Sequence, residues 1–274
     1  MQATKIEWCD ATWNPVTGCL HECKYCYAKK IAERFGGCYS SEEPNKKVYN
    51  VLHDLEKPRQ IYGNRIRQAP FPYKFEPTLH RYRLSEPQKK KKPQNIFVCS
   101  MADLFGEWVP DEWIEAVFEA CKKAPWHRYI FLTKNPERYA KLPEKVFRMA
   151  HLQDDQELWM GCTINNRHNM ADAIEMRASM RCFLSIEPLQ TEVSDIFDNL
   201  LDAERYIKWV IIGAETGNRK GKIIPKREWI ENILRECEYN DIPVFMKNSL
   251  AKIWQGELAR EFGKLPQQFP WEAK

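Results

Sequence analysis

The sequence predicts an α/β fold with a parallel sheet, and three observations carry that reading. Short apolar runs recur along the chain: Ile96 to Cys99, Tyr129 to Leu132, Trp159 to Cys162, Cys182 to Leu184, Trp209 to Ile212 and Val244 to Met246. Segments with helical periodicity lie between most of them. Each run also delivers polar or charged residues just past its carboxyl end, where parallel α/β sheets bind ligands. With the segment before Cys19, the count comes to about seven strands.

The elements follow in order. After a glycine-led loop, Tyr27 to Phe35 reads as a helix that Gly36 and Gly37 cap. Residues 38–95 break the pattern. They are rich in Pro, Tyr and basic residues and read as an insertion of short helical or extended pieces. Asp111 opens a helix with Ile114, Val117, Phe118 and Cys121 on one face. Asn135 and Pro136 follow the next strand as N-cap and first helical position. A helix through Met170, Ala173 and Ile174 follows Cys162, and a shorter one near Ile196 to Leu201 follows Leu184. A last helix from about Lys226 places Ile230, Ile233, Leu234 and Cys237 on one face.

The loop before the first helix reads C-L-H-E-C-K-Y-C, placing Cys19, Cys23 and Cys26 at C-x3-C-x2-C spacing. Thiolate is the soft ligand that iron–sulfur clusters take. A cubane has four irons, so three cysteines leave one iron open to a substrate or cofactor. The alternative is a structural zinc site. Zinc usually takes four ligands in pairs. Here His21 is tightly placed between the cysteines, and the other seven cysteines are scattered singly.

The motif resembles the signature of the radical S-adenosylmethionine (radical SAM) superfamily, with Tyr25 as the aromatic residue before the last cysteine. The resemblance implies a partial (β/α)6 TIM-like barrel holding a 4Fe–4S cluster and S-adenosylmethionine. In such a barrel the chelated sulfonium is cleaved reductively to a 5′-deoxyadenosyl radical. It also implies a reducing electron donor. Residues 1–37 would form the first strand, cluster loop and first helix, 38–95 the insertion, 96–250 the rest of the barrel and 251–274 a C-terminal extension. Five segments resemble a narrower family of phage and bacterial radical SAM-type proteins: T-K-I-E-W-C-D-A-T-W-N-P-V-T-G-C, S-M-A-D-L-F-G-E-W-V-P-D-E-W, F-L-T-K-N-P-E-R, F-L-S-I-E-P-L and W-V-I-I-G-A-E-T-G.

The strand ends supply the remaining candidates. Where the superfamily often has Gly-Gly-Glu to bind the methionine amine, this chain has Ser100, Met101, Ala102 and Asp103, so Ser100 and Asp103 take that place. By the same resemblance Thr163, Asn165, Ser185 and Glu187 meet the ribose and carboxylate, and the segment around Gly213 abuts adenine. Ordinary helix capping accounts for many such residues. Lys134, Glu187, Glu215 and Lys247 escape it more easily. Lys is a poor N-cap, and two acids facing one cavity need partners. Glu–Lys pairing at the mouth is the expectation, with some of these charges serving catalysis.

With 43% hydrophobic and 29% charged residues, the chain is globular rather than disordered. No apolar stretch is long enough to span a bilayer, and the amino terminus has no signal pattern. Ten cysteines then point to reduced thiols in a cytoplasm. The absence of a second cysteine cluster argues against auxiliary iron–sulfur centres. Cys99 and Cys162, near strand ends, are candidate hydrogen donors to a carbon radical, although buried Cys is common in cores.

The net charge of +4 is uneven, because residues 38–95 carry thirteen Lys and Arg against six Asp and Glu. Arg59, Arg65, Arg67, Lys74, Arg81, Arg83 and Lys89 to Lys92 alternate with Tyr49, Tyr62, Phe71, Tyr73, Phe75 and Tyr82. Such a segment suits phosphate neutralisation and base stacking, or else a solvated loop over a small satellite core. The leading expectation is a radical SAM enzyme acting on a nucleic-acid base or nucleotide. The rivals are a nucleic-acid-binding protein with a structural metal, and a radical enzyme for a peptide or small metabolite.

Overall fold

The computed structural model describes residues 1–36, 52–61, 67–150, 157–166, 181–197, 207–255, 260 and 263–272. Its class is mixed α/β with a large parallel sheet, and among the described residues no ladder closes that sheet into a barrel. In chain order the elements are β1 (Gln2–Ala3), β2 (Ala11–Trp13), β3 (Val16–Thr17), α1 (Tyr27–Phe35), β4 (His53–Leu55), β5 (Gln60–Ile61), β6 (Arg67–Gln68), β7 (Thr78–His80) and β8 (Asn95–Val98). Then come α2 (Asp111–Lys122), β9 (Arg128–Thr133), α3 (Glu137–Ala140), α4 (Glu144–Ala150), β10 (Leu158–Thr163), β11 (Arg181–Ile186), β12 (Ile207–Ile212), α5 (Arg227–Tyr239), β13 (Val244–Met246) and α6 (Ala251–Trp254). The expected helix through Met170 to Ile174 lies outside the described residues.

The chain divides into two compact units. The first comprises Met1–Phe131, Leu142–Met149 and Gln153–Glu157. In it β2 runs parallel to β8 and β8 parallel to β9, with β1 antiparallel on β2. Strands β2, β8 and β9 are largely buried on both faces, so they read as apolar runs rather than alternating ones, whereas β1 is exposed. Helix α2 buries Trp113, Ile114, Val117, Phe118, Ala120 and Cys121, as its periodicity predicts, and opens with Asp111 and Glu112 where the helix dipole favours acids. Phe118 stacks on Phe131 at 4.9 Å, and Phe105 meets both rings edge on.

Within this unit the described part of the basic segment is built into the fold. β7 pairs antiparallel with β3 and parallel with β4, making a small second sheet beside the cysteine loop. Phe71 packs with Ala28, Ala32 and Met101, and Phe75 lies against that cluster. Phe71 and Phe75 thus belong to a small satellite core.

The second unit comprises Leu132–Lys141, Ala150–Leu152 and Leu158–Lys274. Its strands β10, β11, β12 and β13 pair in that order, all parallel. Trp159, Phe183, Trp209, Phe245, Phe269 and Trp271 form a connected ring cluster with neighbouring centroids 5.1–6.3 Å apart. Each fully buried aromatic side chain contributes about 1.5–3 kcal/mol. Helix α5 buries Ile230, Ile233, Leu234 and Cys237, the expected face.

Two local expectations are corrected. Helix α3 has Pro136 at its N-cap and no side-chain cap, so Asn135 lies one residue too early to cap it. Its backbone N–H instead donates to Thr133 Oγ1 (2.9 Å). Gly36 ends α1 in an extended conformation (φ −69°), not the left-handed one that favours glycine.

Candidate functional site

The cysteine loop lies in the first unit and is pinned to two neighbouring segments. Gly18 N–H donates to Met101 O (2.9 Å) and Cys19 N–H to Phe75 O (3.2 Å). Tyr27 Oη donates to Ser100 O (2.7 Å). Gly18 has φ +88°, and a Cβ there would lie 2.2 Å from Glu76 O, so the loop must begin with glycine. At its other end Cys26 is the N-cap of α1, its sulfur accepting from Lys29 N at 3.3 Å. Cys19, Cys23 and Cys26 are all half-buried. They line one cavity of about 270 Å³, walled also by His21, Lys29, Tyr73, Phe75 and Glu76.

The residues after β8 complete this corner. Ser100 Oγ donates to Asn14 Oδ1 (3.1 Å), which also accepts from Met101 N (3.0 Å). Asp103 is buried. Its Oδ1 accepts from Phe105 N (3.0 Å), and its Oδ2 lies 2.7 Å from His21 Nε2. Trp108 meets His21 edge on, with ring centroids 4.9 Å apart. Burial, then the Asp103 carboxylate, and then the other two thiols push the Cys19 thiol up to about 12. A metal bound there would have to displace that proton.

The donor set suits a cluster. Three thiols line one cavity, and thiolate is the soft donor that iron–sulfur clusters take.

In the second unit register assembles another polar group. Ile186 pairs with Ile212 and Ile212 with Met246, so Glu187, Gly213 and Lys247 follow side by side on β11, β12 and β13. Lys247 Nζ lies 2.7 Å from Glu187 Oε1, and Ser185 Oγ donates to Glu187 Oε2 (3.2 Å). A Cβ on Gly213 would lie 2.6 Å from Glu187 Oε1 and 3.1 Å from Lys247 Cδ, so the bare glycine makes room for the pair. Thr163 and Asn165 are buried at the end of β10, and Asn165 O accepts from Gln190 N (3.0 Å). Ala214 N–H donates to Ser249 Oγ (3.0 Å). The expected Glu–Lys pair is thus Glu187 with Lys247. Glu215 forks onto Arg219, 2.6 and 2.7 Å away, and Lys134 is half-buried just past β9. A larger cavity of about 660 Å³ lies between the end of α5 and Pro266 to Phe269, at the amino end of β13. That is the wrong end of the strand for a site of this fold class.

The remaining candidates have structural surroundings. Cys99 and Cys162 are buried in the core, and burial pushes the Cys99 thiol up to about 12. Arg81 forks onto Asp54 (2.8 and 2.7 Å), Arg83 donates to Asn14 O and Pro70 O (both 3.0 Å), and Arg59 lies over Tyr73 at 5.7 Å. Arg65, Tyr49 and Tyr62 lie outside the described residues.

A family model described as "Protein of unknown function (DUF5131)" matches residues 3–255. The chain belongs to that family. No curated protein matches the sequence. The fold of this DUF5131 chain is similar to that of spore photoproduct lyase. A mutant form of that enzyme with bound AdoMet and dinucleoside spore photoproduct gives a TM-score of 0.55 at 11% identity, over 89% of this chain and 78% of that one. Spore photoproduct lyase complexed with dinucleoside spore photoproduct gives 0.51 at 11% identity, over 84% and 74%. Another mutant gives 0.52 at 11%, over 89% and 78%. At this identity the likeness concerns the fold alone. Among the described residues no helix of the DUF5131 chain is long and apolar enough to cross a membrane.

Sequence reasoning missed several neighbours of the candidate residues. The crowding of His21 between the cysteines argues against a ligand role, and its contact with Asp103 shows in the sequence only as its place inside the motif. Arg219 stands four residues after Glu215, a visible spacing. Glu76 gives no signal in the sequence, and Tyr73 is visible only as one of the segment's aromatics, because the pairing of β7 with β3 is what brings this stretch to the cysteines.

Proposed function

We propose that this chain is a radical SAM enzyme that abstracts hydrogen from a nucleic-acid base or nucleotide, working in a reducing cytoplasm. One observation carries the reading: the C-x3-C-x2-C thiols ring a single cavity in a chain whose fold is similar to that of a protein solved with AdoMet bound. The dinucleoside held by that protein supports the substrate class.

In this reading Cys19, Cys23 and Cys26 hold a 4Fe–4S cluster with one open iron. The bound cluster and S-adenosylmethionine supply one-electron cleavage of the sulfonium and the radical that takes hydrogen. The chain supplies position. Tyr25, Ser100 and Asp103 frame the cysteine side. Thr163, Asn165, Ser185 and Gly213 take the ribose, carboxylate and adenine. Glu187 and Lys247, already paired, present opposite charges to polar groups of the ligand, and Glu215 and Lys134 add a second acid and a second cation.

The test is anaerobic reconstitution with iron and sulfide, followed by S-adenosylmethionine and reductant. The expected result is about four irons per chain and release of 5′-deoxyadenosine. Ala at any one of Cys19, Cys23 or Cys26 should abolish both. Stoichiometric zinc with no nucleoside release would overturn the reading.

A further inference from the structure

We propose that His21 and Asp103 form a latch that sets the conformation of the cysteine loop, with His21 as a positioning residue for the three thiols. The inference rests on the cluster reading above for its purpose but on the geometry for its existence. His21 is one of the three residues between Cys19 and Cys23. Its Nε2–H donates to Asp103 Oδ2 at 2.7 Å, and Asp103 is itself held by Phe105 N–H at 3.0 Å. The His21 side chain is 23% exposed and that of Asp103 is 7% exposed.

The loop needs such a tie. Gly18 and Glu22 both lie in the left-handed region (φ +88° and +52°), so the backbone bends sharply on either side of His21. Backbone N–H groups at Gly18 and Cys19 tie the start of the loop to Met101 O and Phe75 O. His21 is the side chain that reaches from between the first two cysteines to the loop after β8. Trp108, packed edge on against the imidazole, holds the ring from another side. A carboxylate that orients a histidine recurs in the outer shell of metal sites, where it fixes the geometry of the ligand set. Here the orienting pair acts on the peptide segment that carries the ligands. Asp103 also places a negative charge beside Cys19. Removing that charge favours the more negative, reduced state of a cluster.

The experiment compares His21→Ala, Asp103→Asn and His21→Gln in the full chain. In metal-free protein, hydrogen exchange of amides 19–26 should rise at least about tenfold in His21→Ala and Asp103→Asn, while amides of β8 and α2 keep their protection. His21→Gln retains a side-chain N–H donor and should recover most of the protection. After anaerobic reconstitution, Asp103→Asn should shift the cluster midpoint potential positive and change its electron paramagnetic resonance signal. Loop exchange unchanged in both His21→Ala and Asp103→Asn overturns the latch, as does loss of β8 and α2 protection in all three variants. If loop exchange responds but the parent chain takes up no cluster, the latch stands and the cofactor reading falls.

Discussion

Glu187 and Lys247 meet across Gly213, their charged atoms 2.7 Å apart over the middle of three adjacent parallel strands. The contact depends on the glycine, because any side chain there would occupy the space through which the carboxylate reaches the ammonium. The pair is partly screened, with side chains 17% and 24% exposed. Its strength therefore lies between that of a surface pair and that of a buried one.

Gly213→Ala should separate the pair. A Cβ 2.6 Å from Glu187 Oε1 forces one partner to move, at a cost of about 1–3 kcal/mol. A urea unfolding midpoint lower than that of the parent checks this, and parent-like stability would show that the rim repacks freely.

A double-mutant cycle with Glu187→Gln and Lys247→Met should give a coupling energy of about 1–2 kcal/mol, falling as salt is raised. Either single variant should lower 5′-deoxyadenosine release by more than its loss of stability accounts for. Release that tracks only the folded fraction would make the pair purely structural.

Gly18→Ala should destabilise the cysteine loop. The φ of +88° is strained for alanine, and the new methyl would lie 2.2 Å from the Glu76 carbonyl oxygen. A loss of at least about 2 kcal/mol is expected, together with reduced iron per chain after reconstitution. Full iron content with unchanged melting would contradict this account of the loop.

Acid should destabilise the protein through His80. Burial drives this imidazole down to about 2, and it sits between Thr17 Oγ1 (2.9 Å) and Tyr82 Oη (3.0 Å). A depressed folded value means that the unfolded state binds the proton first. The stability is present above about pH 6.5 and is lost as pH falls below it. Each unit removes roughly 1.4 kcal/mol until the folded imidazole titrates. His80→Asn should flatten the acid limb of a plot of stability against pH, and an unchanged slope would assign that limb to other groups.

Replacing Lys89 to Lys92 with Gln tests the basic segment. These lysines are exposed, so stability should stay within about 0.5 kcal/mol of the parent. Binding to a single-stranded oligonucleotide should weaken, and its salt slope should shrink by about 0.7 per lost contact. An unchanged slope would make the run a solvated surface.

Much of the fold was legible because its signals are local. The apolar runs at Trp209 to Ile212 and Val244 to Met246, which lie in β12 and β13, and the helical faces of α2 and α5 follow from local hydrophobic pattern. Cap details were less legible: Asn135 looked like a cap by residue type, but the helix starts one residue further on. The basic segment is legible only in part. Its charges and rings suggest a ligand surface, whereas Arg81, Arg83 and Phe71 are engaged by Asp54, backbone carbonyls and a satellite core.

The sequence by itself determined the alternation of strands and helices, the three cysteines on one short loop, and the polar residues that follow each strand. These depend on spacing along a chain, which any reader of the residues can see. Tertiary structure alone decided that His21 bonds Asp103, 82 positions away, that β7 brings Glu76 to the cysteine cavity, and that Gly213 lets Glu187 reach Lys247. Such pairings depend on strand register and on space left empty, and neither is written in the order of residues.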